Sequence, residues 1–216
     1  MREYQHIEQE FESIAASLKM DIIVDFGVNR VIEFINPTDF TGHFKIVTWS
    51  GELCISGDYG TFVFSRVDDM FKFFRDRKIN PGYWGQKLNS ISVWGGYKDF
   101  CPHLFRENVE EWTLDQLSEN DELNEEQKVD IMGSVKSEIL SCSEDGEVRA
   151  YDATQNFENE HINFHDFWEV RSDKPSPQYI HSLFSIVWAI KQYDDYKNNK
   201  SLNTFERLGY SQWEKS

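Results

Sequence analysis

The sequence is poor in cysteine, in long apolar runs and, over one stretch, in positive charge, and each shortage argues against a class of protein. Its three cysteines, Cys54, Cys101 and Cys142, are odd in number, widely spaced and without a CxxC pair. That pattern argues against a disulfide framework and for a reducing cytoplasm. The longest apolar run, Ile186 to Ile190, is far too short to cross a bilayer. MREYQHIEQEF at the start has no apolar signal core, so a cytoplasmic location and no membrane partner are expected. No basic patch offsets the formal net charge of −16, which disfavours direct binding of nucleic acid phosphates. Internal repeats and low-complexity tracts are also missing.

What is present is aromatic surface, 17 Phe, 9 Tyr and 7 Trp in 216 residues, enough to offset the entropy of ordering most of the chain. A single α+β domain over 1–196 is expected, its sheet in 20–65 and its helices in 66–196, with a polar, mobile tail over 197–216. Tyr4, Ile7, Phe11, Ile14 and Leu18 alternate at spacings of three and four, which predicts an amphipathic helix over 3–19. Strands are predicted from Asp21 to Phe26 and from Arg30 to Ile35 around the turn Gly27-Val28-Asn29. Phe44 onward alternates with period two, and Ser50-Gly51 and Gly57-Asp58-Tyr59-Gly60 mark the turns of a meander. The expected sheet is therefore a five-stranded antiparallel meander.

Hydrophobic period then changes. Ser65 is a possible N-cap with Asp68 at N3, and Val67, Met70, Phe71 and Phe74 share one helical face. Asn80-Pro81 opens a short helix carrying Tyr83, Trp84 and Leu88, and 90–102 reads as loop. Phe105, Val109 and Trp112 mark a further helix, and Asn124 with Gln127 caps another bearing Val129, Met132, Val135 and Ile139. Pro175-Ser176-Pro177 leads into a helix from Gln178 to Tyr196, whose stripe of Tyr179, Leu183, Ile186, Ile190 and Tyr193 predicts a central buried element.

Between Glu107 and Asp152 stand fifteen acidic residues against Lys128, Lys136 and Arg149, a net of −12. This helical, acidic C-terminal half departs furthest from an average surface. Solubility alone would explain it. The functional reading is electrostatic: Glu107, Glu110, Glu111, Asp115, Glu119, Asp121, Glu122, Glu125 and Glu126 would present carboxylates much as DNA presents phosphates, to the basic channel of a partner.

Other chemistry is weaker. His161 and His165, four apart in HINFHDFWE, would meet one metal ion if helical, but aromatic neighbours and the missing HExxH glutamate favour core packing. Ser141 to Asp152 imitates a calcium loop with serine where the first ligands belong, so an Asp145-Gly146 turn is the better reading. Gly57 to Gly60 and Trp94 to Tyr97 lack the spacing of phosphate loops. No nucleophile elbow occurs, and no cofactor is expected. A ligand pocket near Tyr59, Trp84 and Trp94, between sheet and helices, is the enzymatic or ligand-binding alternative, and a self-associating structural protein is a third.

VTWSGELCISGDYGTFVFSRVDDMFKFFR, INPGYW, HDFWE and HSLFSIVWAIKQYD together resemble a family of uncharacterised accessory proteins encoded by bacteriophages and prophages. The likeness covers roughly 20–196 and is most specific over Gly57 to Arg75 and Ile186 to Asp194. It implies a bacterial cytoplasmic setting during infection or lysogeny and brings no catalytic residue with it. Combined with the focused charge, it leads to the expectation of a non-enzymatic inhibitor of a host defence or nucleic-acid-handling protein, a nuclease or CRISPR effector.

Overall fold

A computed structural model of the chain describes residues 4–75, 78–92 and 95–207. In order, these residues form α1 (Gln5–Ala15), β1 (Lys19–Phe26), β2 (Asn29–Ile35), β3 (Phe44–Trp49), β4 (Glu52–Gly57), β5 (Gly60–Ser65), α2 (Met70–Phe74), α3 (Pro81–Gly85) and β6 (Leu88–Ile91). There follow β7 (Lys98–Phe100), α4 (Pro102–Glu119), α5 (Glu125–Glu138), α6 (Glu147–Gln155), β8 (Asp173–Pro175) and α7 (Pro177–Arg207). Short 3-10 helices lie at Leu140–Asp145 and Phe167–Glu169. The class is α+β, as expected, and the chain divides into two compact units, one of Met1–Tyr97 with Pro175–Ser216 and one of Lys98–Lys174.

The larger unit is built on an antiparallel sheet whose spatial order, β1 to β6, follows the chain. Period-two alternation sends Ile32 and Phe34, Phe44 and Ile46, Leu53 and Ile55, and Phe62 and Phe64 to one buried face. That face packs with Ile7 and Phe11 of α1, with Met70, Phe71 and Phe74 of α2, and with the predicted stripe of α7 in one core. Trp188 binds the layers, its ring 5.3 Å from Phe34 and 5.9 Å from Phe11 in edge-on contacts. Gly57 is required where β4 meets β3: a Cβ there would lie 2.2 Å from the His43 carbonyl and 2.6 Å from the Phe44 Cα.

Arg30 belongs to the inward set of β2 and is buried, so its charge needs a partner. Asp69 supplies it, with Nη1 to Oδ1 at 2.9 Å and Nη2 to Oδ2 at 3.3 Å, and the guanidinium lies 4.5 Å above the Phe71 ring. Burial works against the charge, but the Asp69 and Tyr193 hydrogen bonds outweigh it and hold the Arg30 pKa above its ordinary value.

Several expectations are corrected. The sheet has six strands, because Leu88, Ser90 and Ile91 pair with Phe64, Val63 and Phe62. The stretch read as helix end and loop thus satisfies the backbone of β5, which would otherwise be an open edge. Ser65 is no cap: α2 begins at Met70, and the Asp69 carboxylate accepts from the Phe71 amide at 3.2 Å. Finally, α7 runs on through the start of the expected tail to Arg207. Lys197 on that extension donates to Asp25 at 2.8 Å, beside the Tyr193 hydroxyl bonded to the same carboxylate.

The smaller unit is a set of helices around an aromatic centre. Phe105 and Val109 of α4, Ile131 and Val135 of α5, Ala150 of α6 and Phe157, Phe164 and Phe167 of the following segment form its core. Phe167 lies edge-on to Phe105, Trp112 and Phe164 at 5.5 to 5.9 Å.

Candidate functional site

Charge is divided unequally between the two units. Lys98–Lys174 holds 21 acidic residues against 7 basic ones, a net of −14, which leaves −2 for the rest of the chain. All nine carboxylates picked out from the sequence are exposed. Glu107, Glu110, Glu111, Asp115 and Glu119 stand on α4, Asp121 and Glu122 in the link, and Glu125 and Glu126 in the first turn of α5. At about 100° per residue the five on α4 occupy roughly half of the helix circumference. The other half is buried through Phe105, Val109, Thr113 and Leu117.

Two further contacts fix the orientation of α4. Trp112 Nε1 and Gln116 Nε2 both donate to the Asn163 carbonyl at 2.9 Å, and the Asn163 amide donates back to Gln116 Oε1 at 3.0 Å. The link is ordered in turn by Asn120, whose side chain accepts from the Glu122 amide at 3.1 Å. The carboxylates therefore stand on a backbone held from behind.

The two helices use their acids differently. On α5, Glu125 and Glu126 sit at the N-terminus and Lys136 in the last turn, an arrangement that favours the helix dipole. The predicted capping box is present, with Gln127 N to Asn124 Oδ1 at 2.9 Å and Asn124 N to Gln127 Oε1 at 3.0 Å. On α4, Glu107, Glu111, Asp115 and Glu119 form an unbroken i, i+4 row, in which each like-charge step costs about 0.2–0.5 kcal/mol. The row also runs toward the C-terminus, and neither a basic residue in the last turn nor an acidic one in the first relieves it. Stability accounts for the acids of α5; on α4 Glu107 has a local partner in His103 Nδ1 at 3.2 Å, and the like-charge steps of the row have no such account.

Beside this row lies a groove of about 560 Å3 between α4 and α5, floored by Leu114, Leu117, Val129 and Met132. Leu114 is 56% exposed and Val129 69%. Of the apolar residues read on this helix, Val129, Met132, Val135 and Ile139, the structure buries Val135 and Ile139, joined by Ile131, and turns Val129 outward. Leu114, not singled out from the sequence, could have been found as a large apolar residue well away from the Phe105 to Leu117 face.

The remaining expectations separate. Trp84 is 1% exposed and packs edge-on to Phe74 at 4.8 Å, so it belongs to the core. Tyr59 stacks on His181 at 4.3 Å, while Trp94 lies outside the described residues. Gly57 and Gly60 pair across the β4–β5 turn, as a hairpin requires. His161 and His165 do not share a helical face, because the chain there is extended or turning. Their segment is shaped by Asn159 and Asn163, whose side chains accept from the His161 and His165 amides. Asp145-Gly146 turns between a 3-10 helix and α6 with Gly146 at φ +100°, so 141–152 is no ligand loop. Among the described residues no group of three or more His, Cys, Asp or Glu is placed to hold a metal ion. The cysteines are free.

Fold and surface together define the class: an α+β protein, its antiparallel sheet packed under helices, with a strongly anionic helical unit. Comparison with protein-family models, curated proteins and solved structures finds no match to the chain. Among the described residues no helix is long and apolar enough to cross a membrane.

Proposed function

We propose that this protein is a non-enzymatic, phage-encoded inhibitor of a host nucleic-acid-handling or defence protein, a nuclease or CRISPR effector, acting by charge mimicry. The carboxylate row of α4 carries the reading, since it concentrates like charge where helix stability opposes it. Rules of local stability are broken most often where function requires it. Successive members of the row rise by about 6 Å along the axis, a regular anionic ladder for the cationic channel of a nucleic acid enzyme. Long-range attraction would speed docking and weaken with salt. The resemblance of VTWSGELCISGDYGTFVFSRVDDMFKFFR and its companion motifs to phage accessory proteins supplies the setting.

The test is affinity capture from bacterial lysate with the tagged full chain at about 50 mM salt, where such pairing is strongest. A nuclease or other nucleic-acid-handling enzyme should be retained, released at high salt, and slowed in its own cleavage assay. Reversing Glu107, Glu111 and Asp115 to lysine should weaken retention at least about tenfold, whereas neutralising Glu125 and Glu126 should change it little. Retention unaffected by the α4 reversals, or no such enzyme retained, sinks the proposal.

A further inference from the structure

The groove beside the α4 row combines two properties that a solvated helical face does not need together. Its floor is aliphatic and open, with Leu114 and Val129 more than half exposed. Met132 adds an adaptable thioether. Gly133 leaves the α5 backbone bare, since a Cβ there would meet nothing within 4 Å. Its walls differ in charge: the lining lysines, Lys128 and Lys136, both belong to α5, and Lys128 is already paired with Glu125 at 3.8 Å. Glu107, Glu110 and Glu111 lie one to two turns before Leu114 and on its side of α4.

We infer that this groove is a docking site for an amphipathic helix of a protein partner, with its apolar ridge on Leu114, Val129 and Met132 and its basic flank along α4. This rests on the reading of the smaller unit as the partner-facing one, and it adds an apolar anchor to what would otherwise be purely electrostatic recognition. Charge selects the occupant. A net of −14 on the unit repels an acidic helix, and the aliphatic floor gives nothing to a merely basic, unpatterned chain. Because Glu107, Glu110 and Glu111 flank the groove on α4 while the lining lysines, Lys128 and Lys136, stand on α5, the occupant helix is also oriented about its own axis.

The probe is a fluorescein-labelled peptide with leucines at three- and four-residue helical spacing and lysines elsewhere, titrated with the full chain and read by anisotropy. A scrambled peptide of the same composition and a leucine-glutamate peptide serve as comparisons. The patterned basic peptide should bind at least about tenfold more tightly than either. Leu114→Ser with Val129→Ser should remove most of that advantage, and amide chemical shifts should move at Leu114, Val129, Met132 and Gly133. Both substituted side chains are exposed, so thermal unfolding of the double variant should match the parent. Equal binding of patterned and scrambled peptides, or binding unchanged in the double variant, overturns the groove while leaving the electrostatic reading standing. Conversely, groove-dependent peptide binding alongside α4 charge reversals that do not affect lysate capture would retain the groove and remove the mimicry. A dimer in sedimentation that the double variant abolishes would assign the groove to a second copy and overturn the proposal.

Discussion

At the scale of single residues, His181 has the least conventional environment in the larger unit. It lies on α7, 6% exposed, with its ring parallel to Tyr59 at 4.3 Å, its Nε2 3.5 Å from a Glu10 carboxylate oxygen, and its Nδ1 buried without a partner. Burial lowers its pKa below the ordinary 6.5; Glu10 opposes the shift, and His6 adds to it. Tyr59 stays neutral here, since burial, Glu10 and Asp58 all raise its pKa. A depressed histidine means that the unfolded chain takes up the proton first as pH falls. His181 therefore contributes stability above the unfolded value that is lost as pH drops through 6.5 and below. The parent should lose more of its urea midpoint between about pH 7 and pH 5.5 than His181→Phe, which keeps the stack without titrating. An equal or larger loss in the variant would mean that Glu10 holds the proton on the ring. None of this was legible in the sequence, where His181 is only a polar neighbour of a helical stripe. Arg30 is similar: alternation in β2 puts it on the inward side, but its partner Asp69 is 39 residues away.

Elements were legible wherever a local interaction decides them. The alternation of β2 to β5 and the stripe of α7 each follow from periodicity, and the capping box at Asn124 closes within four residues. The failures share a cause. Helix α2 starts late because Asp69, held by Arg30, takes the cap that Ser65 offers locally. Strand β6 exists because β5 needs a neighbour, a demand from the tertiary structure. On α5 the period holds and Val135 and Ile139 are buried, but Ile131 completes the buried stripe while Val129 faces outward, since the choice of face depends on what the helix packs against. Close approach between strands is likewise invisible in sequence. Gly57 has a β-compatible backbone, so nothing local demands glycine, yet β3 leaves no room for a methyl group. Gly57→Ala should cost about 2 kcal/mol, because the atoms in the way are backbone and cannot swing aside. Urea unfolding measures it, and a cost below about 0.5 kcal/mol would mean that the strands separate more easily than their ladder suggests.

For the whole molecule, the partition of charge makes a prediction independent of any partner. The acid-rich stretch from Glu107 was visible in the sequence, shortly after the smaller unit begins at Lys98. The return of the chain to the larger unit at Pro175 was not, because it depends on α7 packing against strands more than a hundred residues earlier. With −14 on one unit and −2 on the other, self-repulsion is a local burden. Salt at about 0.3 M screens exposed charges beyond several ångströms. It should therefore relieve the α4 row, whose members are all exposed, and leave the sheet nearly unchanged. Native-state hydrogen exchange between about 20 and 300 mM salt measures both at once. Protection of the α4 and α5 amides should rise with salt while that of β2 to β5 stays level. Protection that falls in the smaller unit would show attractive pairs, such as Arg106 with Glu144, outweighing the repulsion. The ladder would then be a stabilising network and not an exposed array available to a partner.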